Sequence, residues 1–148
     1  MQYLRRALEL APGSAQAWVL LAGNLASMGD LKEAEDAFAR ALSIEPALHG
    51  TRFQLGLLQL TQSNALAAES TWTPLEALGA EHPLYLFQRG LRHLIRNEFA
   101  PCIADLRAGI YRNTESAALN RDMQKVIDQA QRALDAAAKS TNPESSPG

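Results

Sequence analysis

The residues of this chain best equipped for chemistry are His49, His82, His93 and Cys102. A zinc-dependent hydrolase carries its paired histidines one helical turn apart, as in H-x3-H or H-E-x2-H, so that both imidazoles point from one face to one metal. No two histidines here have that spacing. A cysteine nucleophile needs a depressed pKa and a base within reach. Cys102 instead stands 34 residues after Ala68 and 68 after Ala34, a row of small residues that reads as tight packing. The glycines are scattered singly, which leaves no loop able to cradle a phosphate. Trp18 and Trp72 fall on apolar rows and need no base-stacking role. The sequence therefore predicts no enzyme, no cofactor and no metal site.

Charge adds little. The net charge is −2 and the isoelectric point about 5.9, which gives no general argument for nucleic acid or for an acidic membrane surface. Locally, five acids and two bases lie between Asp30 and Glu45, and five arginines and two acids between Arg89 and Arg112. A solvated face of varying sign accounts for both, with an acidic partner on the arginine-rich stretch as the rival. A single cysteine excludes an intramolecular disulfide framework. No apolar run reaches the ~20 residues of a membrane span, and the start Met1–Arg6 has no signal-peptide core. A cytoplasmic protein is expected.

The elements that hold these residues recur at a fixed period. Ala22, Gly56 and Gly90 are spaced by 34, as are Ala34, Ala68 and Cys102. Phe38, Trp72 and Leu106 form a large apolar row, preceded 34 earlier by Leu4. Pro12 and Pro46 share the spacing, and Gly29, Ser63 and Asn97 form a row of turn formers. A strict period of this size means a stacked helical repeat.

Within the period, Trp18-x2-Leu21-Ala22-x2-Leu25, then Ala34-x3-Phe38, then Pro46 resembles the tetratricopeptide repeat (TPR). The next repeat keeps Leu55-Gly56, Ala68 and Trp72 but has Arg52, Gln59 and Ala80 at the Trp, Tyr and Pro places. The third keeps Gly90, Phe99 and Leu106 and puts Arg89 and His93 where Leu and Tyr belong. The resemblance covers about three quarters of the chain. It implies an all-α protein, an α-solenoid of antiparallel helix pairs, with about three repeats, a leading half-repeat and a C-terminal capping helix.

The corresponding helices are Ala15–Met28 with Leu31–Ile44, Leu48–Gln62 with Ala65–Leu78, and Pro83–Arg96 with Phe99–Tyr111. Gly29-Asp30, Ser63-Asn64 and Asn97-Glu98 are the turns, each a residue that tolerates positive φ followed by an N-cap candidate. Small residues on the rows let paired helices approach, with Trp18, Leu21, Leu25 and Phe38 between them. Pro74 falls inside a helix and predicts a kink or early break; Pro101 sits harmlessly in a first turn. Thr114 is the expected N-cap of a final helix to Lys139, whose apolar residues Leu119, Met123, Val126, Ile127, Ala130, Leu134 and Ala137 share one face. The expected organisation is 1–13 half-repeat, 14–46, 47–80 and 81–113 repeats, 114–139 capping helix, and 140–148 disordered tail.

In the TPR family the first helices of the pairs carry the ligand-facing residues. The matching places here include Gln16, Val19, Leu20, Gly23, Phe53, Gln54, Leu57 and Leu60, with Phe53 and Leu57 expected to be solvent-accessible anchors. A third set, Leu84, Phe87, Gln88, Leu91, Leu94 and Ile95, is expected to be covered largely by the capping helix. The family's chaperone-binding branch clamps a terminal carboxylate with Lys, Asn and Arg, whereas Val19, Gly23, Gln54, Leu84 and Gln88 stand at those places. The implied function is a protein–protein interaction module that takes an apolar peptide or helix of another protein, as a scaffold, assembly factor or chaperone-like adaptor. The alternative is the capping, self-associating end of a longer array, joined through the N-terminal half-repeat.

Overall fold

The computed structural model describes residues 13–141 together with Arg5, Leu8 and Glu9. Most of the expected half-repeat, and the tail from residue 142, lie outside the described residues. The described residues form helices and no strands: α1 Ala15–Ser27, α2 Leu31–Ile44, α3 His49–Thr61, α4 Ala65–Trp72, α5 Pro83–Ile95, α6 Phe99–Arg112 and α7 Ala117–Thr141, with a 3-10 segment at Thr73–Leu78. The chain divides into two compact units, Met1–Leu75 and Glu76–Gly148.

The row of turn formers behaves as one device used three times. Gly29, Ser63 and Asn97 all take positive φ, at 85°, 63° and 59°. Behind each, the next amide reaches back over the helix end. Asp30 N donates to Leu25 O at 2.9 Å, Asn64 N to Gln59 O at 2.9 Å and Glu98 N to His93 O at 2.8 Å. This wrap satisfies carbonyls that a helix end leaves open and turns the chain antiparallel. The following caps differ from the expectation. Only Asn64 caps with its side chain, accepting from Ala67 N. Asp30 makes no such bond, and Glu98 turns instead to His93.

At the helix ends, the early break expected at Pro74 is present, and the bounds of the last helix are corrected. Pro74 has no amide hydrogen to continue α4, so the α-helix stops at Trp72 and passes into the 3-10 segment. The last helix begins at Ala117 rather than after Thr114. Its cap is Ser116, whose hydroxyl accepts from Leu119 N at 3.1 Å. The same helix continues through Ser140 and Thr141, residues expected in the tail.

In the N-terminal unit, α1 packs on α2, α2 on α3, and α3 on α4. Leu8, Leu21, Ala22, Leu25, Ala34, Phe38, Leu55 and Leu58 belong to one buried cluster. The small row and the large row interlock between α3 and α4: a β-carbon at Gly56 would overlap the Trp72 indole. Trp18, expected as the core of the best-formed repeat, is only half-buried, with the Arg40 guanidinium 5.6 Å from its ring centroid.

In the C-terminal unit, α5 packs on α6 and α6 on α7. Gly90 repeats the relation of Gly56, since a β-carbon there would stand 2.7 Å from Leu106 Cδ2. The buried face of α7 is Leu119, Met123, Ile127 and Ala130.

Candidate protein-binding groove

The first and third helices of the N-terminal unit flank an open depression of about 460 Å³. Val19, Gly23 and Ala26 line it from α1, Gln54, Leu57, Leu58 and Thr61 from α3, and Phe38 from α2. The two helices lie on one side of the unit because each is followed by the same left-handed turn and pairs back onto its successor. Small residues on α1 leave a gap through which the otherwise buried Phe38 ring is reached.

Of the eight positions drawn from the family pattern, Val19, Gly23, Gln54 and Leu57 come together around this depression. Gln16 and Leu20 are exposed on α1, and Leu60 is half-buried on α3, none of them lining it. Gln54 is exposed, and its carboxamide has no partner among the described residues.

Phe53 corrects the sequence reading. It is fully buried rather than accessible. Its ring stacks on Trp72, centroids 5.9 Å apart and planes 23° from parallel, and the indole N–H donates to the Phe53 carbonyl at 3.1 Å. Gly56, one turn along, lets the indole in, and the indole draws Phe53 into the core. Leu57 is half-buried, not an open anchor. Phe87, at the equivalent place in the C-terminal unit, is also fully buried, beneath Gly109. Sequence reasoning missed Phe38 and Leu58 as lining residues: Phe38 was assigned to the core and Leu58 was given no role, and buried residues can still form a floor.

Polar side chains fasten the unit behind the groove. Glu35 accepts from Gln59 and Gln62 at 3.3 and 3.0 Å, and Thr71 donates to Gln59 at 2.6 Å, so α2, α3 and α4 are tied together. A second recess of about 370 Å³ lies around Trp18, with Arg5, Glu33, Asp36 and Arg40 at its rim.

Three of the five arginines in the arginine-rich stretch are engaged within their own unit, while Arg107 and Arg112 are exposed. Arg89 forks onto Asp105 through Nε and Nη2 at 2.8 and 2.9 Å, which raises the guanidinium pKa further. Arg92 Nε donates to Gln88 at 2.6 Å, and Arg96 donates to the Arg92 carbonyl at 3.0 Å. His93 lies between Glu98 and Asp105, its ring nitrogens 3.0 and 3.5 Å from their carboxylates. Cys102, one turn before the end of that cluster, is fully buried. Burial first, and the Asp105 charge second, push its thiol up to about 11. A thiol held neutral is no nucleophile at physiological pH. Among the described residues no group of His, Cys, Asp and Glu could hold a metal ion, and no helix is long and apolar enough to cross a membrane.

Helix pairs, the 34-residue period and the recurring turns define an all-α helical repeat of the α-solenoid class. Residues 1–56 match the family model described as Tetratricopeptide repeat. A chain in the crystal structure of the APC/C hetero-tetramer Cut9-Hcn1 is similar, with a TM-score of 0.75 and 19% sequence identity over 90% of this chain and 26% of that one. This chain thus spans about a quarter of that chain's length, and at this identity the likeness speaks for the fold. No curated protein matches. The family model thus covers the tetratricopeptide resemblance read from Trp18 to Pro46, and the structural likeness extends the repeat fold over most of the chain.

Proposed function

We infer that the protein is an interaction module that holds an apolar segment of another protein in the α1–α3 depression of its N-terminal unit. One observation carries the reading: half of the family-pattern positions meet around one open, largely apolar depression with an unpartnered carboxamide at its edge. An apolar hollow with a few polar groups is the usual form of a binding site, the apolar area giving affinity and the polar groups orientation. The chemistry available is recognition alone. The one thiol is buried and protonated, and the matching places for a carboxylate clamp hold Val19, Gly23 and Gln54 in this unit.

The test is capture of partners by the whole chain and by Gly23→Trp. A β-carbon at Gly23 meets no atom within 4 Å, so an indole there fills the depression and leaves the helix intact. At least one captured protein should be lost with Gly23→Trp and kept with Leu66→Ala, a change at an 82% exposed side chain on α4 outside the depression. Identical sets of captured proteins, with melting temperatures unchanged, would remove the groove from the function.

A further inference from the structure

Among the described residues, four glycines lie in helix interiors beyond the first turn, and three of them are required by packing. An added β-carbon would strike the Trp72 indole at Gly56, the Leu106 side chain at Gly90 and the Phe87 ring at Gly109. Gly23 is the fourth, and a β-carbon there meets nothing within 4 Å. A glycine inside a helix weakens it, because the unfolded chain gains freedom and no side chain packs. Gly23 has ordinary helical φ, so no turn demands it either. What its missing side chain does create is space, at the lining of the depression above Phe38.

The charge of the unit is segregated as well. Helix α1 contains no charged residue, and α3 contains only Arg52, whose guanidinium donates to the Pro46 carbonyl at 3.2 Å. The second helices carry the charge instead, with Lys32, Glu33, Glu35, Asp36 and Arg40 on α2 alone. A charged ligand group entering the depression would lose water and find no counter-ion, which is strongly unfavourable. The recess around Trp18 provides the contrast: its rim mixes both signs.

The polar handle fits a particular backbone. Gln54 offers both a donor and an acceptor, and neither has a partner among the described residues. A helical ligand has spent its backbone groups along its own axis, whereas an extended one presents free N–H and C=O groups. Resting on the function inferred above, we propose that the depression takes an uncharged, extended segment of a partner protein. One bulky apolar side chain of that segment seats at Gly23, and the size of residue 23 decides which side chain is accepted.

The experiment is selection from a random displayed peptide library on the full chain, followed by affinity measurement with the selected synthetic peptides. Selected peptides should share an uncharged run around one large apolar residue. Their affinity should fall in steps through Gly23→Ala and Gly23→Leu, by about tenfold or more at the second. Gln54→Ala should weaken them by about threefold to tenfold, one hydrogen bond's worth. Raising sodium chloride from about 50 mM to about 500 mM should change affinity less than about twofold, since no ion pair is there to screen. If Gly23→Leu perturbs the fold, the loss at Gly23→Ala still carries the result.

The outcomes separate the two readings. Charged, salt-sensitive peptides that Gly23→Leu nonetheless blocks would overturn the uncharged ligand and leave the groove as the binding site. Tighter binding of peptides locked as helices, with Gln54→Ala silent, would overturn the extended backbone alone. Peptides indifferent to Gly23→Leu, or no enrichment at all, would overturn both this inference and the function it rests on.

Discussion

The Trp72 indole occupies the space where a side chain at residue 56 would begin, so Gly56 and Trp72 form one packing unit across α3 and α4. The ring is fully buried, and its N–H is satisfied by the Phe53 carbonyl one turn before Gly56. Gly56→Ala forces backbone or indole to move and should destabilise by about 1–3 kcal/mol, despite alanine's better helix propensity. Gly23→Ala is the mirror case: nothing is struck, and the helix should gain about 0.5–1 kcal/mol. Opposite shifts of the urea midpoint at these two glycines are expected, and equal shifts would contradict the packing.

The two tryptophans should separate in the same way. Trp72 is fully buried, stacked and hydrogen-bonded, so Trp72→Ala should cost about 3–5 kcal/mol, the range for emptying a large aromatic site. Trp18 is half-buried beside Arg40, and its removal should cost clearly less than that of Trp72. Denaturant unfolding of both variants decides the order, and a larger loss at Trp18 would reverse it.

This ordering shows what the sequence made legible. The period fixes where helices and turns fall because turn chemistry is local: Gly29, Ser63 and Asn97 take positive φ wherever the repeat places them. The family pattern likewise places Trp18 on the core row, but burial depends on what covers that row, and that is not local. Phe53 failed for the same reason. Its register puts it beside Gln54 and Leu57, yet the decisive partner is Trp72, which the gap at Gly56 admits. The candidate groove was half legible. Apart from Leu58, the residues that line it from α1 and α3 follow from repeat position, while Phe38 reaches it only because its neighbours on α1 are small.

Cys102 gives a pH prediction. Its thiol is raised from 9.0 to about 11 by burial and then by the Asp105 charge. The unfolded thiol releases its proton first, so the stabilisation is complete below pH 9.0 and lost as pH rises toward about 11. Thermal stability of the whole chain should fall across that window, and Cys102→Ala should flatten the fall. Alanine fits the row, since Ala34 and Ala68 are fully buried at the same place. Thiol reagents at pH 8 should react slowly until denaturant is added. Prompt labelling of the folded protein would show that the thiol is not shielded as described.

The corner between α6 and α7 makes the last prediction. Asn113 donates to the Asn120 carboxamide oxygen at 2.9 Å and to the Ser116 carbonyl at 3.2 Å, and Asn120 donates back to the Asn113 carbonyl at 3.0 Å. These bonds fix the angle at which α7 leaves the chain, while Met123 and Ile127 supply its buried area. Asn120→Ala breaks two of the three bonds and should cost about 1–3 kcal/mol. Met123→Ala and Ile127→Ala should each cost about 2–5 kcal/mol. The two classes should differ in how the loss appears. With the corner cut and the apolar face intact, α7 should open locally, so amide exchange quickens from Leu119 onward ahead of the rest of the unit. With the apolar face cut, the unit should lose stability as a whole. Removing everything after Asn113 uncovers the side of α6 that α7 packs against, and aggregation should follow. If the shortened protein stays monomeric at the same melting temperature, α7 is a detachable element and the corner bonds hold nothing that the fold requires.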